Sequence, residues 1–143
     1  YKHPDRFRSS KFLAFKLLAY SVFKKGSPIF KIIKFASLSL NNHFKELDTH
    51  LEGKVWIDGE NFSLADITWM VLFHRLSEVY LIDYFFDNKN NLKNYFERLK
   101  KRDSYQSALL DYTSDEIRAG KANLAFELEN NKTLISYYQT IKL

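Results

Sequence analysis

Cysteine is absent from this 143-residue chain, and glycine and proline are scarce at four and two. Without cysteine there are no disulfides, no thiolate metal ligands and no cysteine nucleophile, while the compartment stays open. So little glycine and proline leaves few residues suited to the tight turns of an all-β fold, and this favours helices. Long apolar runs are missing too. A membrane-spanning helix needs roughly 18 to 20 apolar residues in succession, and the densest stretch, FLAFKLLAYSVF, is short and broken by Lys16. No small-residue cleavage site follows it, so it does not read as a signal peptide, and no transmembrane segment is expected.

What is present points to a packed core. Apolar residues make up 45% of the chain and aromatics 17%, well outside the composition of disordered segments. The length suits one domain, and a start at Tyr1 without Met suggests a fragment or processed piece. Charge is placed unevenly. Residues 1–34 hold nine Lys and Arg against Asp5 alone, a local +8 that leaves −3 for the other 109 residues. Such an end attracts nucleic acid, anionic lipid or small anions, and its plainer reading is a solvated helix face.

Periodicity outlines the elements. From Asp5 to Lys25, Phe12, Phe15, Ala19, Val22 and Phe23 recur at helical spacing, and Gly26-Ser27-Pro28 ends the run. A second helix is predicted from Pro28 to Glu52 on Ile29, Ile33, Ala36, Leu40, Phe44, Leu47 and Leu51, with Gly53 at its end. KVWIDG reads as a short extended link. The third helix, from Leu64 to Tyr80, leaves almost no polar face, which places it at the centre of a bundle. After the loop DYFFDNKNN, Leu92, Tyr95, Phe96 and Leu99 mark a fourth helix. A shorter one is expected over Tyr105 to Leu110, and another from the capping signal TSDE to about Glu129. The tail NNKTLISYYQTIKL fits strand or helix.

The stretch GENFSLADITW carries the sharpest local signal. With a helix starting at Leu64, Ser63 is its N-cap and Asp66 its N3 residue, so each side chain can serve the other's backbone N–H. Phe62 and Ile67 then occupy the two positions of a hydrophobic staple. A catalytic reading of Ser63 needs a neighbouring base, and the local sequence supplies none. The motif is structural.

WIDGENFSLADI resembles the signature of the C-terminal helical domain of glutathione S-transferases, in which an aromatic or apolar pair and a Gly precede F-[ST]-x-A-D-[IV]. NLKNYFERLKKRDSY is similar to the family's next helix, with Leu92, Tyr95, Arg98 and Arg102 at the expected offsets. Asp103 stands where the family usually has Pro. Around His74-Arg75-Leu76 the likeness is greatest to the ganglioside-induced differentiation-associated branch and its bacterial relatives. It is specific over residues 44–110, loose over 5–43 and absent over 113–143, which reads as an atypical extension.

The resemblance implies an all-α bundle around one buried central helix, with the thioredoxin-like N-terminal domain lying outside this chain. That missing domain would bind glutathione, the implied cofactor, and activate its thiol, so no residue here is assigned as catalytic. The domain described by this chain would shape the site for a small apolar electrophile through Phe12, Phe15 and Ala19, with Arg6 and Arg8 meeting an anionic ligand such as a glutathione carboxylate. The same likeness implies a cytoplasmic protein and leaves room for a homodimer. An alternative is a non-catalytic transferase-like module for protein–protein assembly, and a third reading is a membrane-surface role for the basic first helix. No specific nucleic-acid partner is expected, for want of a recognisable motif. His43, Glu46 and His50 share a helix face, yet no metal is expected because the matching partner ligands are missing.

Overall fold

The computed structural model describes residues 28–141, so the helix expected over Asp5 to Lys25 lies outside the described residues. Within them every regular element is a helix. Helix α1 spans Pro28–His50, α2 Leu64–Glu78, α3 Ile82–Phe85, α4 Asn90–Lys100 and α5 Asp103–Tyr105. The last of these runs directly into a π-helix over Gln106–Leu110, followed by α6, Asp115–Asn130, and α7, Lys132–Ile141. Helix α1 packs on α4 and α7, α2 packs on α3 and α4, and α6 lies against α7. The resulting architecture is an all-α bundle of the kind found in glutathione transferase C-terminal domains.

Aromatic rings fill the core. Phe44 is fully buried, and its ring meets Trp69, Phe73, Phe85 and Phe86 edge-to-face with centroids 5.5–5.9 Å apart. Such tilted pairs add about 0.5–1.5 kcal/mol each beyond the area they bury. Phe73 extends the cluster to Tyr95 and Phe96. All four positions of the α4 stripe, Leu92, Tyr95, Phe96 and Leu99, are buried.

Two helices carry apolar residues on both sides. In α1 Phe44 and Leu47 are buried, as is Leu51 just past its end, but Ala36 of the expected stripe is exposed. Ile32, Phe35 and Leu38 form a second apolar line, exposed at 65%, 74% and 44%. Helix α2 buries Asp66, Met70, Phe73 and His74 at i, i+4, i+7 and i+8, while Leu64, Ile67 and Val71 on another face remain exposed. Apolar composition sets what burial would gain, not which face finds a neighbour.

The connections are tight. Gly53 and Gly59 take φ of +69° and +72°, a region where a Cβ would be strained. Gly59 closes a turn in which Trp56 and Gly59 exchange backbone hydrogen bonds at 2.7 and 3.1 Å. The segment expected as the loop DYFFDNKNN contains one helical turn, α3, because Phe85 and Phe86 must both reach the core. Helix α4 has no side-chain cap of its own at Lys89. Instead Asp48, near the end of α1, accepts the Leu92 N–H at 2.8 Å, and its backbone carbonyl accepts the Asn91 side-chain amide at 3.0 Å. Of the tail that fitted either pattern, Lys132–Ile141 is helical, as α7.

Candidate functional site

The start of α2 is the most heavily tied point among the described residues. Ser63 is in extended geometry at the N-cap and forms a capping box with Asp66. One carboxylate oxygen of Asp66 accepts the Ser63 N–H at 2.7 Å and the Ser63 hydroxyl at 3.0 Å. The other accepts the Ile57 N–H at 3.0 Å and the Tyr95 hydroxyl at 2.7 Å. Asp66 has no solvent-exposed surface. Burial alone would raise its pKa, but donation from Ile57, Tyr95 and Ser63 outweighs this and holds it below the ordinary carboxylate value. The same bond and burial push the Tyr95 hydroxyl far above its ordinary pKa.

Helix α4 clamps the link that leads into α2. Tyr95, Arg98 and Arg102 follow one another at i, i+3 and i+7, so they share one face. Tyr95 holds Asp66. Arg98 donates to the Val55 carbonyl from Nε at 3.2 Å and from a terminal nitrogen at 3.0 Å. Arg102 lays its guanidinium 3.6 Å from the Phe62 ring centroid and 5.4 Å from that of Trp56, and its buried Nε has no acceptor among the described residues. Phe62, Trp56 and Arg102 therefore form one cluster, the two rings 5.1 Å apart, while Ile67 is 40% exposed.

A second buried polar pair joins α2 to α5. His74 Nδ1 is 2.8 Å from the Tyr105 hydroxyl, and its Nε2 is 3.4 Å from a Glu78 oxygen. With Nε2–H directed at Glu78, Nδ1 accepts from Tyr105, an assignment made from the partners rather than seen directly. Burial pushes the His74 pKa below its ordinary value against the pull of Glu78, with Arg75 and Lys121 adding to the lowering. Burial, with Glu78 and Glu97, raises that of Tyr105. A neutral imidazole and a protonated phenol make a satisfied core pair, not an activated nucleophile. Beside Tyr105, a cleft of about 340 Å³ has Phe86 and Phe96 as its apolar floor and Lys93 and Lys100 at its edge.

The other expected positions are resolved differently. Arg6, Arg8, Phe12, Phe15 and Ala19 lie outside the described residues. His43 and His50 turn to separate backbone carbonyls, those of Ser39 at 2.7 Å and Ile57 at 2.8 Å. Among the described residues no three His, Cys, Asp or Glu side chains gather where they could hold a metal. Sequence spacing did not reveal the Tyr95–Asp66 and His74–Tyr105 bonds, whose partners lie 29 and 31 residues apart. One usable signal was available. A carboxylate has about four acceptor positions and the backbone N–H of a capping box fills one, so a buried Asp66 calls for further donors.

Comparison with known proteins gives two relatives. Over 73 residues, 51% of this chain and 29% of the relative, it is 38% identical to the tetrachloro-p-hydroquinone reductive dehalogenase of Sphingobium chlorophenolicum. Over 67 residues, 47% of this chain and 25% of the relative, it is 31% identical to glutathione S-transferase TCHQD of Arabidopsis thaliana. Each match spans less than a third of the relative's own length. No family model and no solved structure matches the chain. The similarities support a relationship to the glutathione S-transferase superfamily.

Proposed function

We propose that this chain is the substrate-side helical domain of a glutathione transferase-like protein, active when joined to a thioredoxin-like domain. The observation that carries the reading is the 38% identity to a reductive dehalogenase over half the chain. In the reaction proposed, the glutathione thiolate forms a carbon–sulfur bond with an electrophile. Where that electrophile is an aryl chloride, chloride leaves with the bonding pair. The thiolate-stabilising donor belongs to the partner domain, because the Tyr105–His74 pair is buried and Tyr105 stays protonated.

The role of this chain is then geometric. The clamp from α4 onto Asp66 and the link before it fixes the start of α2, and so the frame on which an electrophile pocket is built. Arg6 and Arg8 would meet the anionic end of glutathione, and Phe12, Phe15 and Ala19 would line the apolar side. The test is glutathione conjugation to a chlorinated nitroaromatic, run on this chain and on the complete gene product. Turnover by the complete product alone is the expected result. Turnover by these 143 residues would place a catalytic group within them, with His74 the first to mutate. Inactivity of both would favour the non-catalytic assembly module.

A further inference from the structure

On the side of His74 that faces α6 lies a second cleft, of about 370 Å³, which the transferase reading does not use. Three elements form it: the end of α2, the π-helix and the first turns of α6. The π-helix is a notable wall, because i→i+5 turns are rare and occur disproportionately at functional positions. Here the Asp111 N–H reaches back to the Gln106 carbonyl at 3.0 Å. The size falls within the range of small-ligand sites.

The lining pairs apolar walls with two carboxylates and two cations. Leu110 and Ile117 are 39% and 37% exposed, more than apolar residues need be on a closed surface. The two carboxylates at the cleft are engaged, Glu78 by Arg75 at 2.6 Å and Asp111 by the Gln106 amide at 2.7 Å. The two cations are not. Arg118 and Lys121 make no ion pair or side-chain hydrogen bond among the described residues, although Lys121 lies 5.7 Å from the Tyr80 ring. At i and i+3 on α6 they are neighbours on one face.

We infer that this cleft binds a small organic monoanion, its carboxylate between Arg118 and Lys121 and its apolar body against Leu110 and Ile117. A carboxylate there gains two charge-assisted contacts, and the walls cover an aromatic ring or short aliphatic body. His74 closes the inner end with an uncharged imidazole edge.

The probe is benzoate, titrated into the 143-residue chain by calorimetry, with benzamide as its neutral isostere. Benzoate is not an electrophile, so the result does not depend on the transferase reading. Saturable benzoate binding is expected, with benzamide at least tenfold weaker. The double variant Arg118→Ala/Lys121→Ala should bind benzoate at least tenfold more weakly, and an unchanged urea midpoint would show that its fold is intact. Since both side chains are exposed, their loss leaves the core untouched. No saturable binding, or less than a tenfold difference in either comparison, would overturn the inference.

Discussion

Replacing Asp66 by Asn changes one atom, yet the surroundings make it costly. Each carboxylate oxygen of Asp66 accepts one backbone N–H and one hydroxyl. An amide can offer only one acceptor oxygen, so its NH₂ must face one of these donor pairs. The hydroxyl in that pair can rotate and accept, but the backbone N–H cannot. One N–H, of Ser63 or of Ile57, is therefore orphaned whichever way the amide points. A buried unsatisfied donor costs about 1–3 kcal/mol, and the remaining bonds lose their charge assistance. The expected loss is about 2–4 kcal/mol, a substantial part of the 5–15 kcal/mol typical of a whole domain. With a urea slope of about 1–3 kcal/mol/M, the midpoint should fall by roughly 1–2 M. Tyr95→Phe, which removes one donor and leaves the carboxylate three, should cost about 1.5 kcal/mol, and a double-mutant cycle should show the two positions strongly coupled. Because the folded pKa of Asp66 is lowered, its contribution is full above the unfolded value of about 3.9 and disappears as pH falls through the folded one. The Asn variant should therefore lose less stability than the parent on acidification. A midpoint shift under about 0.3 M urea in the neutral range would refute the network as drawn.

Two further outcomes are expected. The lowered folded pKa of His74 makes the unfolded state bind protons first, so stability should fall as pH drops from about 6.5 toward the folded value. His74→Gln should flatten that dependence between pH 5 and 7 in urea midpoints, and an unchanged slope would show that His74 does not titrate on unfolding. Arg102→Ala should cost about 1–2 kcal/mol through the lost stack on Phe62, and Arg102→Lys should fail to restore it, since a lysine cannot lie flat on the ring. Thermal melts that leave either variant at the parent value would remove the stack from the account.

Helix α4 shows both what spacing encodes and what it leaves out. The interval from Leu92 to Tyr95, Phe96 and Leu99 marks a buried face, and the structure buries all four. The same interval cannot say that Tyr95 ends in a hydroxyl aimed at Asp66, because that depends on how two helices cross. Ser63 and Asp66 were legible as a pair since their contact is local, three residues apart. Arg98 and Arg102 stood out only through resemblance, and their reason is physical: both reach down to the 54–62 link that Asp66 also grips. The turn Ile82–Phe85 was hidden by the Asp and Asn residues around it, which favour loops unless burial of neighbouring rings pays for a helix. The second apolar line of α1, Ile32, Phe35 and Leu38, has the same helical spacing as the buried stripe, so spacing alone does not say which of the two faces the core. Nothing in the sequence separated the π-turn at Gln106–Leu110 from an ordinary helical one.

The capping of α4 from another helix bears on the order of events in folding. An N-terminus normally finds its cap within a few residues, so the helix can begin before anything else is in place. Here the acceptor for the Leu92 N–H is Asp48, 44 residues earlier in the chain. Until α1 and α4 have met, the first turn of α4 has unpaired donors and little reason to persist, and 11 residues is too short for a lone helix to hold in water. Helix formation and docking are thus expected to be coupled for this element. A change at Asp48 should slow folding in proportion to its effect on stability, whereas a change confined to the outer face of α4 should leave the folding rate almost untouched.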